Sequence, residues 1–120
     1  MAIKLNGRAF DHAKELIAAG RVVLDDRDQW SEHQPSSVDE NEFIAEHGFH
    51  EYARWYLGID TDQDEDNKGR YRFPYGDFDK VHRCGVLSAE SRAAQYKHED
   101  IAGAAAHLHG MLDAVRARSG

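Results

Sequence analysis

The stretch RYRFPYGDFDKVHRCGVLSAESRAAQYKHEDIAGAAA, residues 70–106, constrains the fold more than any other part of the chain. Tyr71 and Phe73 alternate with Arg70 and Arg72 at the two-residue period of a strand. Pro74 and Gly76 then make a turn, and Pro74 confines that strand to an edge or an end because it cannot donate to a ladder. Beyond the turn, Val86, Ala89, Ala93 and Tyr96 share one helical face. Ile101, Ala104, Ala105, Leu108, Met111, Leu112 and Val115 form the apolar side of a second helix, which ends in Arg116 and Arg118, where positive charge suits the helix dipole. The spacing predicts a helical hairpin. Gly103, Ala106, Gly110 and Ala114 are placed to let the neighbouring helix of the same chain approach closely, rather than a second copy, so a monomer is expected. Tyr71, Phe73, Tyr75 and Phe78 are expected to pack on the hairpin as the centre of the core.

The preceding residues add two helices. Asn6 can cap the first, whose Phe10, Ala13, Leu16 and Ile17 form a stripe that Gly20 ends. After the short apolar run Val22, Val23 and Leu24, the segment DDRDQWSEHQPSS reads as a loop anchored by Trp30. Ser37 and Glu40 have capping-box spacing ahead of Phe43 and Ile44, Gly48 ends or kinks that helix, and the chain becomes extended near WYLGI. The fold class read from these signals is α+β, mainly helical: about four helices with a short β-hairpin or strand pair in one domain. Its parts are an N-terminal helix and apolar run (1–24), an acidic helix and loop region (25–69) and a strand-turn plus helical hairpin (70–118). A chain of 120 residues suits one core, burying roughly two-thirds of its unfolded surface.

The motifs WSEHQP, WYLGID, RFPYGDF, KVHR and RAAQY, spread from Trp30 towards Leu112, resemble those of a family of short, uncharacterised bacterial proteins. A related segment occurs in some phage prohead-protease and capsid-associated proteins. The resemblance implies a fold and a phage-related context; it supplies no catalytic residue.

Charge is distributed unevenly. Residues 25–66 carry fourteen acids against two bases, whereas Lys68, Arg70, Arg72, Lys80 and Arg83 follow with only Asp77 and Asp79 opposed to them, in a chain of net charge -7. A strand alternating arginine with aromatics turns its arginines away from the core. The expected binding surface is therefore Arg70, Arg72, Lys80, His82 and Arg83 with Arg92, and the expected partner an acidic protein or other macromolecule. The acidic balance argues against nucleic acid, despite aromatics that could stack on bases. Mean hydropathy is -0.74; no apolar run is long enough to span a bilayer, and the first residues lack the features of a secretion signal, so a cytoplasmic protein is expected. The single cysteine, Cys84, fits a reducing compartment.

Catalytic and metal signatures are sparse. Asp60, Asp62 and Asp64 begin like a calcium loop, but Glu65 stands where glycine is required and Tyr71 where the bidentate glutamate belongs. His47, His50 and Glu51 could share a helical face if Gly48 did not intervene, while His107 and His109 diverge. Cys84 with His82 nearby is the one nucleophile candidate, and a structural cysteine is the preferred reading. The expectation is thus a non-enzymatic binding or assembly module with no cofactor and no assigned metal ligand. The alternative is a small metal-binding or thiol-dependent enzyme using Cys84 and the His47, His50 and Glu51 group. What separates the two is whether Asp77, His82, Arg83, Cys84 and Gln95 meet in one cleft.

Overall fold

In the computed structural model, which describes residues 2–119, the chain enters as strand β1 (Ile3–Leu5) and turns at Asn6 into helix α1 (Gly7–Ala18). Ala9, Ala13 and Ile17 recur every four residues and are buried. Asn6 does not cap the helix through its side chain; its Nδ2 donates to the carbonyls of Ala53 (2.9 Å) and Tyr56 (3.1 Å), fastening the start of α1 to the segment that leads into strand β3 (Tyr56–Asp60). Gly20, at φ 77°, ends the helical path in the left-handed conformation that glycine adopts without strain.

Strand β2 (Val22–Val23) follows, and then a feature the loop reading did not contain: helix α2 (Trp30–His33), a single turn. Helix α3 (Ser37–Tyr52) is capped one residue earlier than the spacing suggested, by Ser36 and Asp39 in a reciprocal box, and Gly48 interrupts it with φ 82°. The chain continues through β3, β4 (Tyr71–Pro74), β5 (Val81–His82), α4 (Arg83–Gln95) and α5 (Glu99–Ser119), giving the α+β, mainly helical fold. Strand β3 is the centre of an antiparallel sheet, with Ile3 opposite Asp60 on one side and Tyr71 opposite Ile59 on the other. Pro74 ends its edge strand β4. Strands β2 and β5 form a separate parallel pair, Val22 opposite Val81 and Val23 opposite His82.

Helices α4 and α5 make the most extensive contact between any two elements. Val86, Leu87, Ala89 and Ala93 are buried on the first, and Ile101, Ala104, Ala105, Leu108 and Leu112 on the second. The face expected to do this is wrong: Gly103, Ala106, Gly110 and Ala114 are exposed, and a Cβ at either glycine would meet nothing. Close approach is supplied by the alanines instead. Since neither glycine is needed for space, Gly103→Ala and Gly110→Ala should each stabilise the protein by about 0.8–1.0 kcal/mol through helix propensity. Denaturant melts measure this, and a loss of stability on either would reveal a contact on that face.

The core joins these layers. Tyr52, Leu57, Tyr75, Val81, Val86, Leu87, Ile101, Leu108 and Leu112 are all but inaccessible to solvent. Of the four aromatics expected at its centre, Tyr75 and Tyr71 are buried, but Phe73 and Phe78 only pack against its edge. Both of the latter have positive φ, 63° for Phe73 within β4 and 71° for Phe78 in the turn beyond it, so neither side chain follows the regular alternation of a strand. Among the described residues no helix is long and apolar enough to cross a membrane.

Candidate metal centre

The parallel register of β2 and β5 sets two chemically active residues side by side. Val23 lies opposite His82, so two residues further along each chain Asp25 arrives beside Cys84, just past the carboxyl ends of both strands. Cys84 is the second residue of α4, where backbone N–H groups have no helical acceptor. Asp25 supplies one across 59 positions of sequence: its Oδ1 accepts the Cys84 N–H at 2.7 Å. His82, the residue just before α4, makes no side-chain cap, so Asp25 serves as the anionic cap of α4.

The other carboxylate oxygen is the focus of the site. Asp25 Oδ2 lies 2.7 Å from His33 Nδ1, 2.7 Å from His82 Nδ1 and 3.0 Å from Cys84 Sγ, and His33 Nδ1 is 3.8 Å from the sulfur. One ligand atom from each of Asp25, His33, His82 and Cys84 can be chosen so that all four lie within 4.8 Å of one another. Beyond them, Asp77 Oδ2 stands 2.7 Å from His82 Nε2 and fixes that ring from behind. The turn between β4 and β5 holds Asp77 in place, since its Oδ1 accepts the N–H groups of Asp79 and Lys80.

Local packing explains why these side chains converge. Trp30 is buried, its ring 5.9 Å from that of His82 and against the Gly85 position, where a Cβ would come within 3.0 Å of the indole. That anchor places the single turn α2 over the start of α4, and His33 at its end reaches the cluster with its ring 5.4 Å from that of His82. Arg83 covers the flank, donating to the Asp25 carbonyl at 3.4 Å and to Asp113 at 3.1 Å.

Electrostatics follow the geometry. Burial raises the pKa of Asp25, but the hydrogen bonds from Cys84, His82 and His33 outweigh it and hold the carboxyl at about 2. Burial and then the Asp25 carboxylate push the Cys84 thiol up to about 12. Burial lowers the pKa of His82, yet Asp77 and Asp25 more than offset it and the net shift is upward. Without a metal the cysteine is therefore a neutral donor to Asp25, and the helix N-terminus does not make it a thiolate nucleophile.

The residues singled out from sequence divide. Asp77, His82 and Cys84 come together with Arg83 alongside, whereas Gln95 is exposed and takes no part in the cluster. His82 is only 6% exposed, which removes it from the expected basic surface, and Arg83 is drawn inward with it. Arg70 donates to the Gln63 carbonyl, Lys80 is exposed at the turn, and Arg72 and Arg92 border a cavity described below. The alternative ligand group is corrected: among the described residues His47, His50 and Glu51 form no cluster. Gly48 kinks the helix between them, His47 lies on Phe43, His50 meets Arg8 and Glu51 pairs with Arg54. Asp25 and His33 were not anticipated as ligands. Asp25 reaches the cluster through a parallel pair of two residues per strand and His33 through a single helical turn, so only His82-x-Cys84 stands out locally in the sequence.

The chain matches no protein-family model, and no characterised protein or solved structure matches it significantly.

Proposed function

We propose that the protein is a zinc-binding module without catalytic chemistry of its own, in which one ion clamps residues 24–34 onto β5 and α4 and thereby organises a surface for an anionic partner. The observation that carries this reading is the convergence of three potential donors on a single buried carboxylate oxygen. An sp² oxygen has two lone pairs, so three protonated donors crowd it, whereas an ion among four ligand atoms satisfies all of them.

Zinc suits the donor set, because it takes imidazole, thiolate and carboxylate together in tetrahedral geometry. Bonds of ~2.0–2.3 Å put neighbouring ligand atoms ~3.2–3.8 Å apart, so the contacts at 2.7 Å and 3.0 Å open by roughly half an ångström while any pair near the 4.8 Å limit of the set closes. Charge also balances: a divalent ion with one carboxylate, one thiolate and two neutral imidazoles is neutral overall, which favours a buried site. Asp77 behind His82 is the outer carboxylate that zinc-binding histidines commonly have. The His33 side chain, 33% exposed, offers a way in. Four protein donors leave no vacant position for a substrate, and this supports a structural over a catalytic ion.

The test is reconstitution of the reduced protein with zinc, dialysis and elemental analysis, together with cobalt substitution. One equivalent of zinc, and a cobalt form showing thiolate-to-metal charge transfer that Cys84→Ser abolishes, are expected. Substoichiometric metal, or a cobalt spectrum indifferent to Cys84→Ser, means that the cluster is only a hydrogen-bonded knot that caps α4.

A further inference from the structure

A sizeable cavity lies away from the metal cluster, between β4, the start of β3 and the far end of α4. It measures about 740 Å³, within the range of sites for small organic ligands. Tyr71, Phe73 and Tyr96 give it aromatic walls, while Lys68, Arg72 and Arg92 bring positive charge to it. Tyr96, the residue that closes α4, stands four positions after Arg92, and its backbone N–H donates to the Arg92 carbonyl at 3.1 Å.

Its charges are unequally satisfied. Lys68 is paired with Glu40 at 2.9 Å, and Glu40 also accepts from the Tyr56 hydroxyl at 3.1 Å, which in turn lies 2.7 Å from the Tyr52 hydroxyl. That end is a completed polar network. At the other end, the guanidinium group of Arg72 has only the Gly69 carbonyl, and the Arg92 side chain has no ion pair or hydrogen bond among the described residues. Two uncompensated guanidinium groups thus border one cavity in a chain of net charge -7. Guanidinium presents a planar fork of donors suited to phosphate or carboxylate.

Two further features belong to the same place. Tyr96 is one of only two large apolar side chains, among the described residues, that are mostly exposed, at 61%. Phe73 holds a left-handed backbone, φ 63°, which costs an aromatic residue energy, and its ring lies over Gly58, where a Cβ would come within 2.8 Å of it. An exposed tyrosine and a strained phenylalanine on the walls of one cavity are surfaces that a flat ring can cover.

We propose that this cavity binds a small planar ring bearing a phosphate or carboxylate, with Arg72 and Arg92 holding the anion and Tyr71, Phe73 and Tyr96 contacting the ring. At the opposite end the carboxylate of Glu40, 23% exposed, has lone pairs beyond those taken by Lys68 and the Tyr56 hydroxyl and receives a hydroxyl or amino donor of the ligand. This assignment does not rest on the zinc reading, because none of the four metal-ligand residues lines the cavity.

Calorimetric titration of the full chain with adenosine 5′-monophosphate and with 4-hydroxybenzoate tests it, the two probes separating the phosphate and carboxylate sources. Saturable binding of one of them at a single site is expected. For that probe, the neutral parent ring and the inorganic anion alone should each bind at least about tenfold more weakly, as should Arg72→Ala/Arg92→Ala, whereas Arg118→Ala should leave affinity unchanged. Circular dichroism checks that the variants are folded, and Tyr96→Ala serves as the ring-contact variant if the double variant is not. Failure of both probes to bind, or affinity unaltered in the folded variants, overturns the proposal.

Discussion

Stripping zinc from the reduced protein should lower its melting temperature by on the order of 10–20 °C. The magnitude follows from mass action, since an ion held at a thousandfold excess over its dissociation constant stabilises the folded state by about 4 kcal/mol, and a chain of this size loses a few degrees per kcal/mol. Metal-free, residues 24–34 keep the Trp30 anchor and the Asp25 cap of α4, so a lowered transition is expected rather than complete unfolding. Asp77→Asn refines the experiment. The amide retains an oxygen for the Asp79 and Lys80 N–H groups, but its NH₂ would face His82 Nε2 and favour the tautomer with a proton on Nδ1, the atom needed by the metal. Zinc affinity should fall about 10–100-fold while the metal-free melting temperature barely moves. Equal melting with and without chelator would remove the case for a structural ion.

How far the fold could be read in advance depended on the range of the signals. Periodicity is local, so α1, α4 and α5 and the extended β4 were visible from apolar spacing alone, and the glycine at position 48 declared its kink. The choice of helix face was not. Gly103 and Gly110 are small, which sequence can see, but whether small residues face a neighbour or water depends on how the hairpin is rotated, and Ile101, Leu108 and Leu112 turned it the other way. The cluster of Asp25, His33, His82 and Cys84 was harder still. His82 and Cys84 were noticed together, but Asp25 is 57 residues from His82 and reaches it through a parallel pair of only two residues per strand. A strand that short has no periodicity to detect. His33 depended on one turn of helix inside a segment with every mark of a loop, held there by the burial of Trp30. The charge pattern misled for a related reason: His82 belongs to a basic run in sequence, yet Asp25 and Asp77 draw it inside.

Tyr75 is the side chain whose removal should cost the fold most. It is inaccessible to solvent, its ring stacks on Trp55 at 5.6 Å, and its hydroxyl donates to the Arg54 carbonyl at 2.7 Å. His12 Nδ1 lies 3.0 Å from the same oxygen. Burial, and after it the charge of Arg54, lowers the pKa of His12, so the imidazole is neutral at pH 7 and its Nδ1–H can donate to the tyrosine oxygen. Tyr75 also works through its backbone, receiving the His82 N–H at 3.0 Å and so tying the core to the Asp25 cluster. Tyr75→Ala removes a buried ring, at about 3–5 kcal/mol, and with it the hydroxyl hydrogen bond, at about 0.5–1.5 kcal/mol more, since His12 Nδ1 stays 3.2 Å from the Arg54 carbonyl and can satisfy it. The sum rivals the whole stability of a typical domain, about 5–15 kcal/mol, and the alanine variant stands at the edge of folding. Tyr75→Phe isolates the smaller part: the ring stays, the hydroxyl goes, and denaturant melts should register a loss of about 0.5–1.5 kcal/mol. A change near zero in both variants would place the centre of the core in the α4 and α5 hairpin alone.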